Sequence, residues 1–264
     1  MPKGSSDILR IGLFGAGRVA SQLGPALATA GHHIAFVWSR TAPAAAALAA
    51  RLPGAHVLAT LAAPLPPADV YLLAGPDAAV EPLLAATAWP AGALVVHLAG
   101  ALPLAVFATQ PAVRGGVFYP LQTFSPGRAI AWATVPLCIE AADALAEETL
   151  LLLANSLSQH VLRLHSAQRL KLHVAAVFAN NFTNHLLGIA DALLAEAALP
   201  SALLAPLVRE TMDKALANPP FEMQTGPATR RDAPTLAAHQ AALAAHPTWQ
   251  ALYEQLTISI QAQL

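Results

Sequence analysis

The sequence is poor in charge: only 11% of its 264 residues are Asp, Glu, Lys or Arg, and its formal net charge is -1 at pH 7. Ordinary soluble domains have about 25% charged residues. There is no basic run, so we expect no nucleic-acid partner. Two explanations of the scarce charge remain open, a genome that favours Ala, Leu and Pro or a surface buried against a second copy. We prefer the second.

Cysteine is almost absent. The single Cys138 excludes an intramolecular disulfide, which fits a reducing, cytoplasmic location. The first ten residues carry Asp7 and Arg10 and lead into a strand pattern, so they do not resemble a signal peptide.

One segment, residues 91–110, contains no charged residue and could be taken for a membrane span. His97, Gly100 and Pro103 interrupt it, and a strand buried on both faces followed by a turn gives the same apolarity. We therefore expect no membrane span.

The histidines lack metal-ligand spacing. No HxxxH or HExxH unit joins them and carboxylates are not interleaved, so no metal site is predicted. The histidines considered are His165, His173, His185, His239 and His246.

Short apolar runs alternate with Ala-rich stretches in the first half, which predicts βαβ units and a mainly parallel, doubly wound sheet. Strands are expected at 8–15, 33–39, 69–75, 93–100, 115–124 and 135–141, and helices at 19–31, 42–52 and 78–87. From Ser166 the pattern is all-helical, with one helix to Ala198 capped by Ser166, another at 201–218 and two opening at Pro234 and Pro247. These patterns predict a Rossmann-like α/β domain over 1–165 and an all-α domain over 166–264.

Residues 15–20 read GAGRVA, directly after the first strand and at the start of a helix. In a GxGxxA turn the first glycine allows the tight bend, the second lets the backbone approach a pyrophosphate, and helix N–H groups face the phosphates. This predicts a dinucleotide site at Gly15, Ala16, Gly17, Arg18 and Val19.

Acidic residues are missing where an NAD enzyme needs one. Between Asp7 and Asp69 there is no Asp or Glu, so no carboxylate from this region can accept from the ribose 2′-OH. Ser39 and Arg40 end the second strand instead, and an arginine fork matches a 2′-phosphate. NADP(H) is the predicted cofactor, with a solvated loop cation as the alternative for Arg40.

Two later strands end in small residues. The turns at 72–77 and 95–100 should border the nicotinamide half, which adds Gly75 and Pro76 to the predicted cofactor residues. We interpret His97 as a packed strand histidine in preference to a substrate contact.

In order, the segments GAGRVA, LLAGPD, VVHLAGAL, YPLQTF, LHVAAVFANNF and QTGPATRRDAPTLAAH resemble a largely uncharacterised family of NADP oxidoreductase-like proteins. The resemblance covers nearly the whole chain. It implies a Rossmann-like domain followed by a helical domain of the 6-phosphogluconate dehydrogenase C-terminal type, with ketopantoate reductase and pyrroline-5-carboxylate reductase as distant relatives. Family members often carry His before PLQTF, where this chain has Tyr119. We expect Tyr119 to contact substrate, because tyrosine can still donate a proton or hydrogen bond although it cannot act as a base near neutral pH.

The better-known relatives place a Lys and an Asn of the first helix of the second domain against the nicotinamide. The resemblance selects His173 and Asn181, whereas α-helical spacing puts His173, Asn180 and Asn184 on one face. Lys171 lacks the relatives' KxxxN spacing but stays a catalytic candidate, and Gln122 could orient a substrate carbonyl or amide.

The connection at 218–234 is long for a compact domain. Within it, Arg230 would either clamp a substrate anion or pair with Asp232.

These observations predict an NADP-dependent oxidoreductase that moves a hydride between nicotinamide and a small carbonyl or imine in a cleft between the domains. A reduced deazaflavin in place of that substrate stays open. The alternative is a non-catalytic NADP(H)-binding sensor or regulatory module. The apolar composition further predicts a homodimer through the C-terminal helices.

Overall fold

The computed structural model describes residues 8–62 and 64–263. The first seven residues of the predicted 1–165 domain, Ala63 and Leu264 lie outside the described residues. The chain forms two compact units, Met1–Phe178 and Ala179–Leu264.

The first unit is built on a sheet with strand order β3-β2-β1-β4-β5-β6-β7-β8 over the described residues. Its strands are β1 Arg10–Phe14, β2 His33–Trp38, β3 His56–Val57, β4 Val70–Leu73, β5 Leu94–His97, β6 Arg114–Pro120, β7 Leu137–Ala141 and β8 Val161–Arg163. The β6–β7 pair is antiparallel, and every other neighbouring pair is parallel. The predicted doubly wound, mainly parallel sheet is confirmed.

Helices cover both faces of this sheet. They are α1 Ala20–Thr29, α2 Ala42–Ala49, α3 Val80–Ala86, α4 Ala144–Asn155 and the start of α5 Ser166–Ala176. Consecutive strand residues point to opposite faces, so Leu13 packs with Leu23 and Leu150 on one face while Phe14 packs with Leu84 on the other. Because both faces are buried, the strands are almost continuously apolar.

The carboxyl ends of β1, β4, β5 and β6 lie at one edge of the sheet, because these four strands are parallel neighbours. Gly15, Gly75, Gly100 and Tyr119 are at or just beyond those ends. In open α/β sheets this edge is where ligands bind.

Two strands and one α-helix of the first unit were not predicted from the sequence, namely β3, β8 and α4. Helix α4 nevertheless has a recognisable start, since the Asp143 carboxylate accepts from the backbone N–H of Ala146 at 2.9 Å. Asp at such a position is a standard helix N-cap.

The helix that begins at Ser166 differs from the expectation in two ways. Ser166 is its first residue and not its cap, so that expectation is wrong: His165 is the N-cap, and it forms a capping box with Gln168. A π-helical turn at Val177–Phe182 follows, and α6 Thr183–Glu196 continues the chain. The α-helical spacing that placed His173, Asn180 and Asn184 on one face is therefore interrupted.

The second unit is helical, as predicted. After α6 it contains a short 3₁₀ turn at Ser201–Leu204, then α7 Ala205–Ala217, α8 Ala233–Ala242 and α9 Pro247–Gln261. Among its described residues, only Ala228 and Leu243 are buried.

The described helices include none that is both long enough and apolar enough to span a membrane.

Candidate active site

The glycine turn after β1 has a backbone that only glycine adopts easily. Gly15 has φ of 122°, its N–H donates to the carbonyl of Trp38 at 2.6 Å, and a Cβ there would lie 2.5 Å from the carbonyl oxygen of Ala74. Gly17 differs, because a Cβ built on it would meet no atom within 4 Å. The turn is therefore packed against Ala74 at Gly15, whereas the space next to Gly17 is open, as a bound pyrophosphate requires.

A cavity of about 610 Å³ extends from this turn across the carboxyl ends of β2, β1 and β4. Its size is in the range of small-molecule and cofactor sites. Seven of the nine predicted cofactor residues line it: Gly15, Ala16, Gly17, Ser39, Arg40, Gly75 and Pro76. The remaining lining is mainly apolar, with Trp38, Leu61 and Leu83 among its larger side chains.

The other two predicted residues do not line this cavity. Arg18 is exposed and lines an adjoining cavity of about 310 Å³, which shares Ala16 and Gly17 of the glycine turn with the larger one. Val19 is at the start of α1, where its carbonyl accepts from Leu23. The sequence missed Thr41, which also lines the larger cavity.

Tyr119 and His173 are brought together within the first unit. The phenolic oxygen lies 3.0 Å from Nδ1 of the imidazole, and the rings meet edge to face with centroids 5.8 Å apart. Burial raises the pKa of the Tyr119 phenol, with Cys138 and Asp77 acting in the same direction and Arg169 opposing them. The phenol is therefore protonated near neutral pH and available as a donor.

Gly100 makes room for this pair. A Cβ at Gly100 would overlap the imidazole of His173 and would lie 3.0 Å from Cζ of Tyr119. The segment after β5 therefore touches the pair through bare backbone.

Lys171 and Gln122 lie in the first unit as exposed side chains. The Gln122 side chain is turned towards its own loop, where its Oε1 accepts from the backbone N–H of Thr123 at 2.7 Å.

The remaining predicted residues belong to the second unit. Asn180 and Asn181 are exposed in the π-helical turn, where the Asn180 amide donates to Asn181 Oδ1 at 3.5 Å. Arg230 is exposed, and Asp232 caps α8 by accepting from Thr235. Hydrogen bonds from Thr235 lower the pKa of Asp232 most, and Arg230 lowers it further through space.

His97 is a packed histidine, as we interpreted it. It is fully buried, its ring stacks on Phe107, and its Nδ1 accepts from the Ala99 N–H at 3.2 Å. Burial, helped by the nearby Arg169 cation, lowers the pKa of His97 to about 3.

A buried ion pair next to His173 was not recognised from the sequence. Arg169 is 1% exposed and binds Glu140 on β7. Its position four residues before His173, on the same helix face, is the one signal that could have found it.

Among the residues that the structure describes, no three His, Cys, Asp or Glu side chains form a group that could hold a metal ion.

The sheet, the glycine turn and the cavity at the carboxyl edge define a Rossmann-like α/β protein with a dinucleotide-type site. Residues 2–122 match the model of the Rossmann-like domain, and residues 135–260 match DUF2520, a domain of unknown function. The chain belongs to the family in which a Rossmann-like domain is followed by DUF2520.

Several solved structures are similar to this chain. BF3122 from Bacteroides fragilis, described as a putative NADP oxidoreductase, is 37% identical with a TM-score of 0.87, over 98% of this chain and 100% of that one. Protein TM1727 from Thermotoga maritima is 18% identical with a TM-score of 0.77, over 96% of this chain and 98% of that one. A reductive aminase from Aspergillus terreus, in complex with NADPH and ethyl-5-oxohexanoate, is 22% identical with a TM-score of 0.67, over 97% of this chain and 92% of that one. The last two show a shared fold. No curated protein matches the sequence.

Proposed function

We propose that this protein is an NADP-dependent oxidoreductase that transfers a hydride between nicotinamide and a small carbonyl or imine. The observation that carries the proposal is a dinucleotide cavity and a Tyr–His pair at the same edge of one sheet. The family relative BF3122, with its NADP oxidoreductase description, supports the cofactor.

The residues of the cavity fit NADP(H). The open space above Gly17 admits a pyrophosphate, and the apolar wall that includes Trp38 and Leu61 suits an adenine ring. Ser39, Arg40 and Thr41 offer two hydroxyl groups and one guanidinium for a 2′-phosphate. Among the described residues that line this cavity there is no Asp or Glu to accept from a free ribose 2′-OH.

The strand order supports an arrangement of the two halves of the proposed site. The adenosine would lie on the β2 side of β1 and the nicotinamide on the side of β4, β5 and β6. At about 4.8 Å between strands, the end of β6 is roughly 14 Å from that of β1, a span that an extended dinucleotide can bridge. Tyr119 and His173 would therefore face the nicotinamide half.

When bound, the nicotinamide would supply or accept the hydride. The protein's part is to hold the matching proton. Tyr119 is protonated and shares a hydrogen bond with Nδ1 of His173, so the pair can present an O–H or N–H to the oxygen or nitrogen of a substrate. After Tyr119 donates its proton, the Nδ1–H of His173 can return one to the phenolate, and solvent can reprotonate the part-exposed imidazole.

The other predicted site residues remain part of this proposal. Lys171 and Gln122 are exposed in the first unit, with Asn180, Asn181 and Arg230 exposed in the second. Lys171, Gln122, Asn180 and Asn181 stay predicted catalytic residues, and Arg230 stays a predicted substrate residue.

We also propose a homodimer through the C-terminal helices. Helices α6, α7, α8 and α9 contain no buried residue, and several large apolar side chains are exposed on the second unit. These include Leu203, Leu207, Leu216 and Phe221. Monomeric proteins rarely expose so much apolar surface, and light scattering at micromolar concentration should give twice the 27.3 kDa mass of one chain.

The test is cofactor binding followed by turnover. NADPH and NADH are titrated against the protein by calorimetry, and NADPH oxidation is then followed with small ketones, aldehydes and cyclic imines, the ketones with and without an amine. Tighter binding of NADPH and oxidation with at least one class are expected. No affinity for NADPH would overturn the proposal. Tight binding with no oxidation by any substrate or by oxidised deazaflavin would favour the non-catalytic sensor.

A further inference from the structure

The ion pair between Arg169 and Glu140 is buried, unlike the other Arg–carboxylate pairs of the described chain. The Arg169 side chain is 1% exposed and that of Glu140 is 15% exposed, whereas the side chains of Arg163 and Glu147 are 63% and 42% exposed. A buried ion pair is costly to desolvate and is often no more stabilising than apolar residues of the same volume. Its presence beside His173 therefore invites a role other than stability.

This ion pair joins three segments of the first unit. The Glu140 carboxylate on β7 binds Arg169 and also accepts from the N–H of Ser166 at 2.9 Å. Ser166 Oγ donates to the same carboxylate and accepts from the N–H of Leu104 at 3.0 Å. Arg169 adds a second bond to the segment after β5, because its NH2 group donates to the carbonyl of Leu102 at 2.5 Å.

Two of these segments determine where His173 lies: α5 carries it, and the segment after β5 contacts it. Arg169 and His173 are four residues apart on α5, which puts them on one face of the helix. The carbonyl that Arg169 binds is two residues from Gly100, whose backbone contacts His173 so closely that a Cβ would overlap the imidazole. Arg169 thus ties the helix that carries His173 to the segment on which His173 rests.

We propose that Arg169 and Glu140 are positioning residues, which fix His173 at hydrogen-bond distance from Tyr119. The catalytic meaning of this inference rests on the proposed function. The geometric part does not, since the hydrogen bond exists whether or not the protein turns over.

A purely structural role makes a different prediction. If the two charges serve only to neutralise each other, replacing both with apolar side chains leaves His173 where it is. If they position His173, the double replacement removes the link to Leu102 and Ser166 and frees the imidazole. The double variant Glu140→Met/Arg169→Met therefore separates the two roles. The single variant Arg169→Lys provides a milder test, because lysine keeps the charge but cannot span Glu140 and Leu102 with a planar fork.

The measurement is the ¹⁵N chemical shift of His173 Nδ1 in histidine-labelled protein, assigned by its loss in His173→Gln. Tyr119→Phe gives the value for the broken hydrogen bond. We expect the double variant to move most of the way to that value and Arg169→Lys to move part of the way. Arg163→Met, which removes an exposed ion pair, should leave the shift unchanged. Circular dichroism shows whether each variant is folded. If the double variant unfolds, the milder Arg169→Lys variant provides the test.

A His173 shift that stays at its wild-type value in a folded double variant, or in folded Arg169→Lys if only that variant folds, would overturn the inference. Turnover is a second readout. With any substrate that the wild type reduces, kcat should fall about tenfold to a hundredfold, because a small misplacement costs that much, while the Kd of NADPH is unchanged. If wild-type turnover is absent but the shift moves as expected, the proposed function fails and the positioning role stands.

Discussion

The hydroxyl of Tyr119 lies 3.0 Å from Nδ1 of His173, although the two residues are 54 positions apart in the chain. One side chain comes from the end of β6 and the other from α5. The phenol supplies a proton that its raised pKa keeps in place near neutral pH, and the imidazole supplies an exchange partner.

Replacing Tyr119 with Phe tests this pair. The ring and its packing are kept and the hydroxyl is lost, so kcat should fall about a hundredfold or more, as expected for general acid catalysis. The Kd of NADPH should change little, because Tyr119 does not line the cavity proposed for the adenosine and pyrophosphate. Both are measured by NADPH oxidation and by fluorescence titration.

Tyr71→Phe is the matched control for this replacement. Its hydroxyl donates to the Pro66 carbonyl at 3.1 Å and is also outside the cavity. It should leave kcat near the wild-type value. Equal rates for Tyr119→Phe and wild type would remove the phenol from the mechanism.

Replacing Arg40 with Ser tests the choice between the two nicotinamide cofactors. Arg40 lines the cavity as an exposed cation, and a charge-assisted hydrogen bond contributes about 1.5 to 3 kcal/mol. The Kd of NADPH should therefore rise about tenfold to a hundredfold while that of NADH stays constant. Arg51→Ser, an exposed cation that does not line the cavity, is the control. Equal weakening of both cofactors would contradict a contact with the 2′-phosphate.

The two glycines of the turn should respond differently to alanine. Gly17→Ala places a methyl group in empty space, so the melting temperature should hold while NADPH binding weakens about tenfold or more. Gly15→Ala forces a positive φ on alanine and a contact with the Ala74 carbonyl, so both stability and binding should drop. Thermal melts with and without NADPH distinguish the two. A Gly17→Ala protein that binds NADPH as tightly as the wild type would refute the phosphate role of the turn.

The sequence was most informative where the physics is local. The strand–glycine–helix order and the lack of any acid between Asp7 and Asp69 are readable without coordinates, and they predicted five residues that line the cavity. The small residues after a later strand added Gly75 and Pro76. The alternation of strands and helices likewise predicted the sheet.

Contacts between distant segments could not be read in this way. The closeness of Gly100 to His173 and the ion pair of Arg169 with Glu140 depend on how α5 packs against β7 and the segment after β5. The π-helical turn at Val177–Phe182 had no sequence signal that we recognised, and it interrupts the period on which the asparagine argument depended. Helix α4 was missed although Asp143 marks its start.

Burial of His97 makes a prediction about acid stability. Unfolded histidine has a pKa of 6.5, and in the folded protein the pKa of His97 is lowered to about 3, chiefly by burial. Between these values the unfolded chain binds a proton that the folded chain does not bind. The protonation of His97 therefore does not reduce the free energy of unfolding above pH 6.5. As the pH falls from 6.5 towards 3, it lowers that free energy with a slope of up to about 1.4 kcal/mol per pH unit.

His97→Asn should flatten this slope. Asparagine retains an acceptor for the Ala99 N–H but loses the ring that stacks on Phe107, so the variant should be less stable than the wild type at pH 7. Because asparagine does not titrate, the variant should lose less stability between pH 6 and pH 4. The free energy of unfolding in urea, measured at several pH values, gives both slopes. His56→Asn is the control, because that histidine is exposed and should leave the wild-type slope intact. If His97→Asn and wild type lost stability in parallel, the acid sensitivity would have to come from other groups, and the neutral, buried imidazole would not be one of its causes.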